Sequence, residues 1–332
     1  MGHTMRPRAT ATTFTLILLG LWSTIGLAED RPCVTPHRYI VTTLPLRPAG
    51  INESGEVVGT TDEHFAASWT AQSGLHPIAP PSGSTNAEGI GLNNHGHIIG
   101  LGINLKTGQR QGFGYADDKP HLLSGGQAKP WAINDDGVVV GESKLPGKAT
   151  SAPVLWMNKS ATDLGGCCGG TATGINNHSQ IIGNVYDESG QYHAFLWSKA
   201  SGMQRIGPPK IFTSALAIND AGDVLIQSFS EGVLLYHQGA TQRLTLSTKR
   251  PSHPKALNNC GVIVGAFGPF SDADRAFIWD AVEGFHDLND LIAPKSGWIL
   301  MTATAINNQG QIVGWGQYEK EDDVGFLLTP EP

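Results

Sequence analysis

Residues 171–207 read TATGINNHSQIIGNVYDESGQYHAFLWSKASGMQRIG. Thr171-Ala172-Thr173-Gly174-Ile175 is a strand by composition, and Asn176-Asn177-His178-Ser179 is a turn. Gln180 to Val185 forms a second strand around a β-branched pair. After a polar loop, His193-Ala194-Phe195-Leu196-Trp197 is a third, and Met203 to Ile206 is a short fourth. Four antiparallel strands in about 41 residues make one blade of a propeller.

The unit recurs along the chain. An apolar residue and an Asn lead into a turn and then a Val, Ile or Leu pair at Asn52, Asn93, Asn134, Asn176, Asn219, Asn258 and Asn307, spaced 39 to 49 residues apart. A period near 40 residues marks blades or solenoid units. The expected fold is therefore all-β, a seven-bladed β-propeller with four-stranded blades. The Asn side chain is suited to bond its own backbone two residues on, and the fourth turn residue needs φ > 0. Six copies place Gly there; the fourth has Ser179, where slight strain is expected. Two residues before each Asn the side chain is Gly or Ala, from Gly50 to Ala305, which implies a close approach of backbones near the axis.

The third strands carry a ring stripe, Trp69, Tyr115, Trp156, Trp197, Tyr236 and Trp279. Sugar binding is one reading; packing between blades, where large rings contribute most, is the preferred one. The chain ends on a third strand, Gly325 to Leu328, without a fourth. It begins with Tyr39-Ile40-Val41-Thr42-Thr43-Leu44, which has no preceding third. The N-terminal strand is thus expected to complete blade seven and close the ring, leaving no free edge.

Residues 1–28 read as a signal peptide: Arg6 and Arg8, an apolar stretch from Phe14 to Leu27, and cleavage after Ala28. The apolar stretch is short for a membrane span, and no second one follows. Asp30-Arg31-Pro32 before Cys33 lacks the small residue of a lipoprotein signal. Residues 29–38 form a short segment and 39–330 the single propeller domain. Removing Arg6 and Arg8 from 22 basic residues leaves 20 against 29 acids, a net charge of −9. That argues against a phosphate-backbone partner and against an anionic membrane surface. A secreted or periplasmic monomer is expected.

The combination of Ala-x-x-Ile-Asn-x-x-Gly-x-Val-Val-Gly with His193-Ala194-Phe195-Leu196-Trp197 resembles the HAF-repeat family of extracellular bacterial repeat proteins. The strongest match is Asp287-Leu288-Asn289-Asp290-Leu291-Ile292, Ser296-Gly297-Trp298, Ala305-Ile306-Asn307 and Phe326-Leu327-Leu328-Thr329-Pro330. The resemblance covers about residues 39 to 330. Copy five departs from it, with Ile226 where the others have Gly. The resemblance implies export and implies no reaction or catalytic residues.

All four cysteines follow the signal, as suits an oxidising compartment. Cys33 and Cys260 belong to one face of adjacent blades, and a Cys33–Cys260 bridge stapling the closing strand is expected. Cys167 and Cys168 lie on the opposite face in a Gly-Gly-Cys-Cys-Gly-Gly loop, as idle thiols, a rigid loop or a strained adjacent disulfide.

The loops between blades, and those between second and third strands, share the face opposite the Asn turns: 104–111, 142–152, 271–275 and 317–323. That face and the mouth of the axis are the default ligand location. Asp272 and Asp274, or Glu319, Glu321, Asp322 and Asp323, carry oxygens suited to Ca²⁺ but lack a loop motif, and solvated charge is the simpler reading. His64, His76, His121, His193, His253 and His286 are expected near the loop face or its rim, and His95, His97 and His178 around the opposite turns. No ligand pair, nucleophile elbow or phosphate loop is present, so no catalytic residue, cofactor or metal is assigned. Two functions stay open. One is a non-enzymatic exported module binding protein or glycan. The other is a propeller lyase or hydrolase acting on polysaccharide, which requires acids and His to converge at the axis.

Overall fold

The computed structural model describes residues 36–209, 211–246, 250–269 and 274–331. The signal peptide, Cys33 and Asp272 lie outside the described residues. Seven four-stranded antiparallel sheets form the blades of a β-propeller. Blade four has strands Gly170–Ile175, Ile181–Tyr186, Tyr192–Ser198 and Gly202–Arg205, in that order from the inside outward. Blade seven consists of Trp298–Ile306, Ile312–Tyr318, Glu321–Pro330 and, as its outermost strand, Tyr39–Leu44. Tyr39 lies opposite Pro330 and Leu44 opposite Gly325. The N-terminal strand closes the ring as expected.

Each second strand begins with a β-branched or Leu pair because its two members face opposite sides of the sheet. Val57 packs with Val313 and Leu327 of blade seven, whereas Val58 packs with Ile98 and Phe113 of blade two. Likewise Ile181 joins Val140 and Leu164 of blade three, and Ile182 joins Ala215 and Val224 of blade five. Seven separate cores result, one between each pair of neighbours. The ring stripe of the third strand belongs to these cores. Trp156 is 1% exposed and its Nε1–H donates to the Ser124 carbonyl at 2.8 Å. Packing, and not a sugar platform, accounts for that ring.

The Gly that follows the β-branched pair is set by close approach. A Cβ on Gly183 would strike the carbonyl oxygen of Thr171, and one on Gly314 that of Thr302. The ring of the facing Phe covers the space: Gly183 lies opposite Phe195, Gly265 opposite Phe277 and Gly314 opposite Phe326. In blade five the pair is Ile226 and Leu234, where an aliphatic side chain in place of Gly is matched by a Leu in place of Phe. At the small residue two before the Asn, the expected backbone crowding is weaker. A Cβ on Gly91 would meet only Ile99 side-chain carbons at 3.7 Å, and one on Gly174 would meet Ile182 at 3.0 Å. Neighbouring side chains, more than backbone, keep that position small.

The Asp287-Leu288-Asn289-Asp290 segment is a 3₁₀ turn, Leu288–Asp290, capped by the Asp287 carboxylate. Asn289 clamps the first strand of blade seven: its Nδ2 donates to the Leu300 carbonyl at 2.9 Å and its Oδ1 accepts from the Leu300 amide at 2.7 Å. The His of the HAF segment has a similar local role. Buried His193 meets Asp187 through Nε2 at 2.9 Å, tying the start of the third strand to the preceding loop. Asp187 also accepts from Ser189 and Arg205. These bonds, with the Ser189 hydroxyl foremost, hold its carboxyl well below the usual range.

Candidate functional site

The two ends of the axis differ in chemistry. At the turn end, each Asn Oδ1 accepts the backbone N–H four residues on, at 2.9–3.0 Å in all seven copies. Its Nδ2 donates to the backbone carbonyl of the next blade's Asn: Asn52 to Asn93, Asn93 to Asn134, and so on until Asn307 returns to Asn52. One amide thus satisfies its own turn and joins two blades. Ser179 takes the φ > 0 position at 55°, as expected.

A second ring lies outside the first. The backbone N–H of Glu53, Asn94, Asp135, Asn177, Asp220, Asn259 and Asn308 each donates to a side-chain oxygen of the same position in the next blade. Together the rings enclose a small polar hollow of about 260 Å³. Its oxygens are occupied in joining blades, so this end is a structural seal.

The loop end opens into a larger cavity of about 1140 Å³, lined from blades one, three, six and seven. Each innermost strand carries a β-bulge three residues before its Asn, where one extra residue breaks the pairing: Ala49, Ile90, Trp131, Thr173, Leu216, Lys255 and Thr304. A bulge re-aims its side chain. Trp131, Lys255 and Thr304 line the cavity, and Trp131 is 44% exposed. Alternation alone could not place these residues, because the bulge shifts the face. The seven copies disagree at this position, but they disagree as much five residues before the Asn and two after it, so the sequence does not single it out.

Around them stand Arg47, Trp315, Met301 and Ile299. The Arg47 guanidinium lies 4.5 Å from the Trp315 ring centroid and 3.5 Å from the Asp323 carboxylate. Gln317 donates to Asp322 at 2.8 Å. The result is a mouth with flat apolar faces and carboxylate and amide groups at its edge, the composition of a ligand site.

Several expected site residues fall elsewhere. The 317–323 segment is a tight hairpin, with Tyr318 opposite Glu321 and positive φ at Glu319 and Lys320. Its acids do not gather, since Asp322 turns to Gln317 and Asp323 to Arg47. Asp274 lines the cavity. Among the described residues no three His, Cys, Asp or Glu side chains are grouped to hold a metal ion. Of the His residues expected near the loop face, only His253 lines the cavity; His76, His121 and His286 sit on outermost strands. Burial, with Lys159 and His97 nearby, lowers the pKa of His121. His95, His97 and His178 occupy the Asn turns, as expected.

Cys260 lies in the blade-six turn, its N–H donating to Asn258; the Cys33 half of the expected bridge is outside the described residues. Cys167 and Cys168 have Cα atoms 3.8 Å apart. That is the span of one trans peptide and falls short of the roughly 4.4–6.8 Å of ordinary bridges. Chain connectivity explains the contact of their sulfurs, and the pair is not a disulfide.

No family profile matches the chain, and no curated protein matches it. Solved structures do. The chain is similar to the β-propeller domain of the Trilobed protease from Pyrococcus furiosus, with TM-score 0.59 and 10% identity over 87% of this chain and 97% of that one. It is similar to a puromycin hydrolase, with TM-score 0.54 and 12% identity over 85% of this chain and 53% of that one. It is also similar to YCF48 bound to D1 peptide, with TM-score 0.53 and 9% identity over 91% and 100%. At such identity the likeness concerns architecture alone, and by sheets, ring closure and neighbours the chain is a seven-bladed β-propeller.

Proposed function

We propose that this propeller is a non-enzymatic binding module of the HAF-repeat type, exported to the periplasm or cell surface, that takes a protein or glycan ligand at the loop-end cavity. The observation that carries this reading is Trp131, a large ring placed on a bulge and left 44% exposed at a cavity of about 1140 Å³. An exposed aromatic at a concave site offers much contact area at little entropic cost. The polar groups around it support binding over catalysis. Arg47 holds Asp323 and Gln317 holds Asp322, so these carboxylates have positional partners already. A lyase or hydrolase needs an acid and a base poised on the substrate.

A glycan array probed with the chain from residue 29, followed by titration calorimetry on each hit, tests the reading. Trp131→Ala is expected to weaken any hit at least tenfold while leaving thermal unfolding unchanged. Hits indifferent to Trp131→Ala overturn the site. Release of reducing ends or unsaturated sugars from a bound polysaccharide overturns the non-enzymatic reading.

A further inference from the structure

Four side chains with a formal charge project from the innermost strands among the described residues: Arg47, Glu88, Lys129 and Lys255. Three have an opposite charge beside them. Arg47 meets Asp323 at 3.5 Å, Glu88 meets Arg110 at 3.1 Å and Lys129 meets Glu142 at 2.7 Å. Lys255 is exposed, is aimed into the cavity by its bulge, and forms no ion pair among the described residues. A charge with no ion-pair partner among the described residues, where the charges on the other innermost strands have one, is available to a ligand.

The ring position of Lys255 matters as much as its charge. It stands on blade six and Trp131 on blade three, so the two reach the same cavity from separate parts of the ring. A ligand touching both needs an anionic group and a flat, weakly polar face some distance apart. The mouth adds the acceptors of Asp322 and the amide of Gln317, which suit hydroxyl groups on the same ligand.

We infer that the loop-end cavity binds an acidic saccharide, with the carboxylate of a uronic acid residue on Lys255 and the C–H face of a pyranose ring on Trp131. This rests on the binding-module reading and names its ligand class. A peptide C-terminus would satisfy Lys255, but has no row of hydroxyls for the acids at the mouth. A neutral glycan would satisfy Trp131 and leave Lys255 unused.

The test is calorimetric titration of the chain from residue 29 with oligogalacturonate and with its methyl ester. The acid form is expected to bind at least tenfold tighter than the ester, with affinity falling as salt rises. Lys255→Met should remove that preference, Lys255→Arg should restore most of it, and Trp131→Ala should weaken both forms. Equal binding of acid and ester, or Lys255→Met behaving as the parent, overturns the uronate assignment. If neither form binds while a neutral glycan or a peptide binds in a Trp131-dependent way, the saccharide class fails and the binding module stands. If nothing binds in a Trp131-dependent way, both fail. Circular dichroism of each variant separates a lost contact from a lost fold.

Discussion

The side-chain amide of Asn307 donates to the backbone carbonyl of Asn52 at 3.0 Å, joining residues 255 apart in sequence. This bond completes a belt of seven, alongside the strand pairing that completes blade seven. Each belt Asn is a buried amide with every polar atom engaged. Asn134→Ala removes the acceptor for Val138 and the donor to the Asn176 carbonyl. Leaving such groups unpaired costs about 1–3 kcal/mol each. Asn134→Asp keeps the acceptor, but sets a carboxylate oxygen against that carbonyl. Both variants are expected to lower the urea midpoint, and an unchanged midpoint for either contradicts the role of the belt.

Glycine positions divide by what they face. Gly183→Ala drives a methyl group onto the Thr171 carbonyl, and about 3 kcal/mol of destabilisation is expected, the upper part of the usual overpacking range. Gly91→Ala meets nothing closer than 3.7 Å and mimics the Ala of four other copies. It is expected to be neutral or to stabilise by about 0.5 kcal/mol through the unfolded chain. Thermal unfolding of the two variants checks the contrast.

The repeat was legible because each blade solves the same packing problem with the same residues: Asn for the turn, a β-branched pair for two cores, Gly beneath Phe. Closure by Tyr39–Leu44 was legible from the strand count. The bulges were not, because register is a property of two strands and cannot be read from one. The belt was hidden for a related reason. Its acceptors are backbone carbonyls about 40 residues away, which carry no sequence signature. The cavity escaped for the same reason: Trp131 lies on the innermost strand of blade three, outside the third-strand stripe, and only the bulge turns it toward the axis.

Two tryptophans should behave in opposite ways. Trp156 is buried with its N–H satisfied, so Trp156→Ala is expected to cost about 3–5 kcal/mol. Trp131 is a surface ring, so Trp131→Ala should change stability by no more than about 0.5 kcal/mol. Denaturation midpoints measured side by side decide this. A large loss at Trp131 would make it part of the core.

Acid should loosen blade four through Asp187. Its carboxyl titrates well below the ordinary aspartate value because Ser189, Arg205, the Gln191 amide and His193 favour the charged form. A depressed folded pKa gives stability that is complete above the unfolded value of about 3.9 and is lost as pH falls from there toward the folded value. Asp187→Asn should therefore destabilise at pH 7 and differ progressively less from the parent below about pH 4. Urea midpoints across that range, with hydrogen exchange at His193 and Ala194, show whether the two curves converge.

All seven belt amides point the same way round, each blade toward its successor. The circle has a sense of rotation and no starting point. Tyr39 lies beside Pro330 in the sheet, so the described ends of the propeller are neighbours. A circular permutant joined there by a short linker, and reopened in a loop such as 165–169, keeps the contacts on either side of the seam. Which blade comes first along the polypeptide is thus independent of how the ring is held.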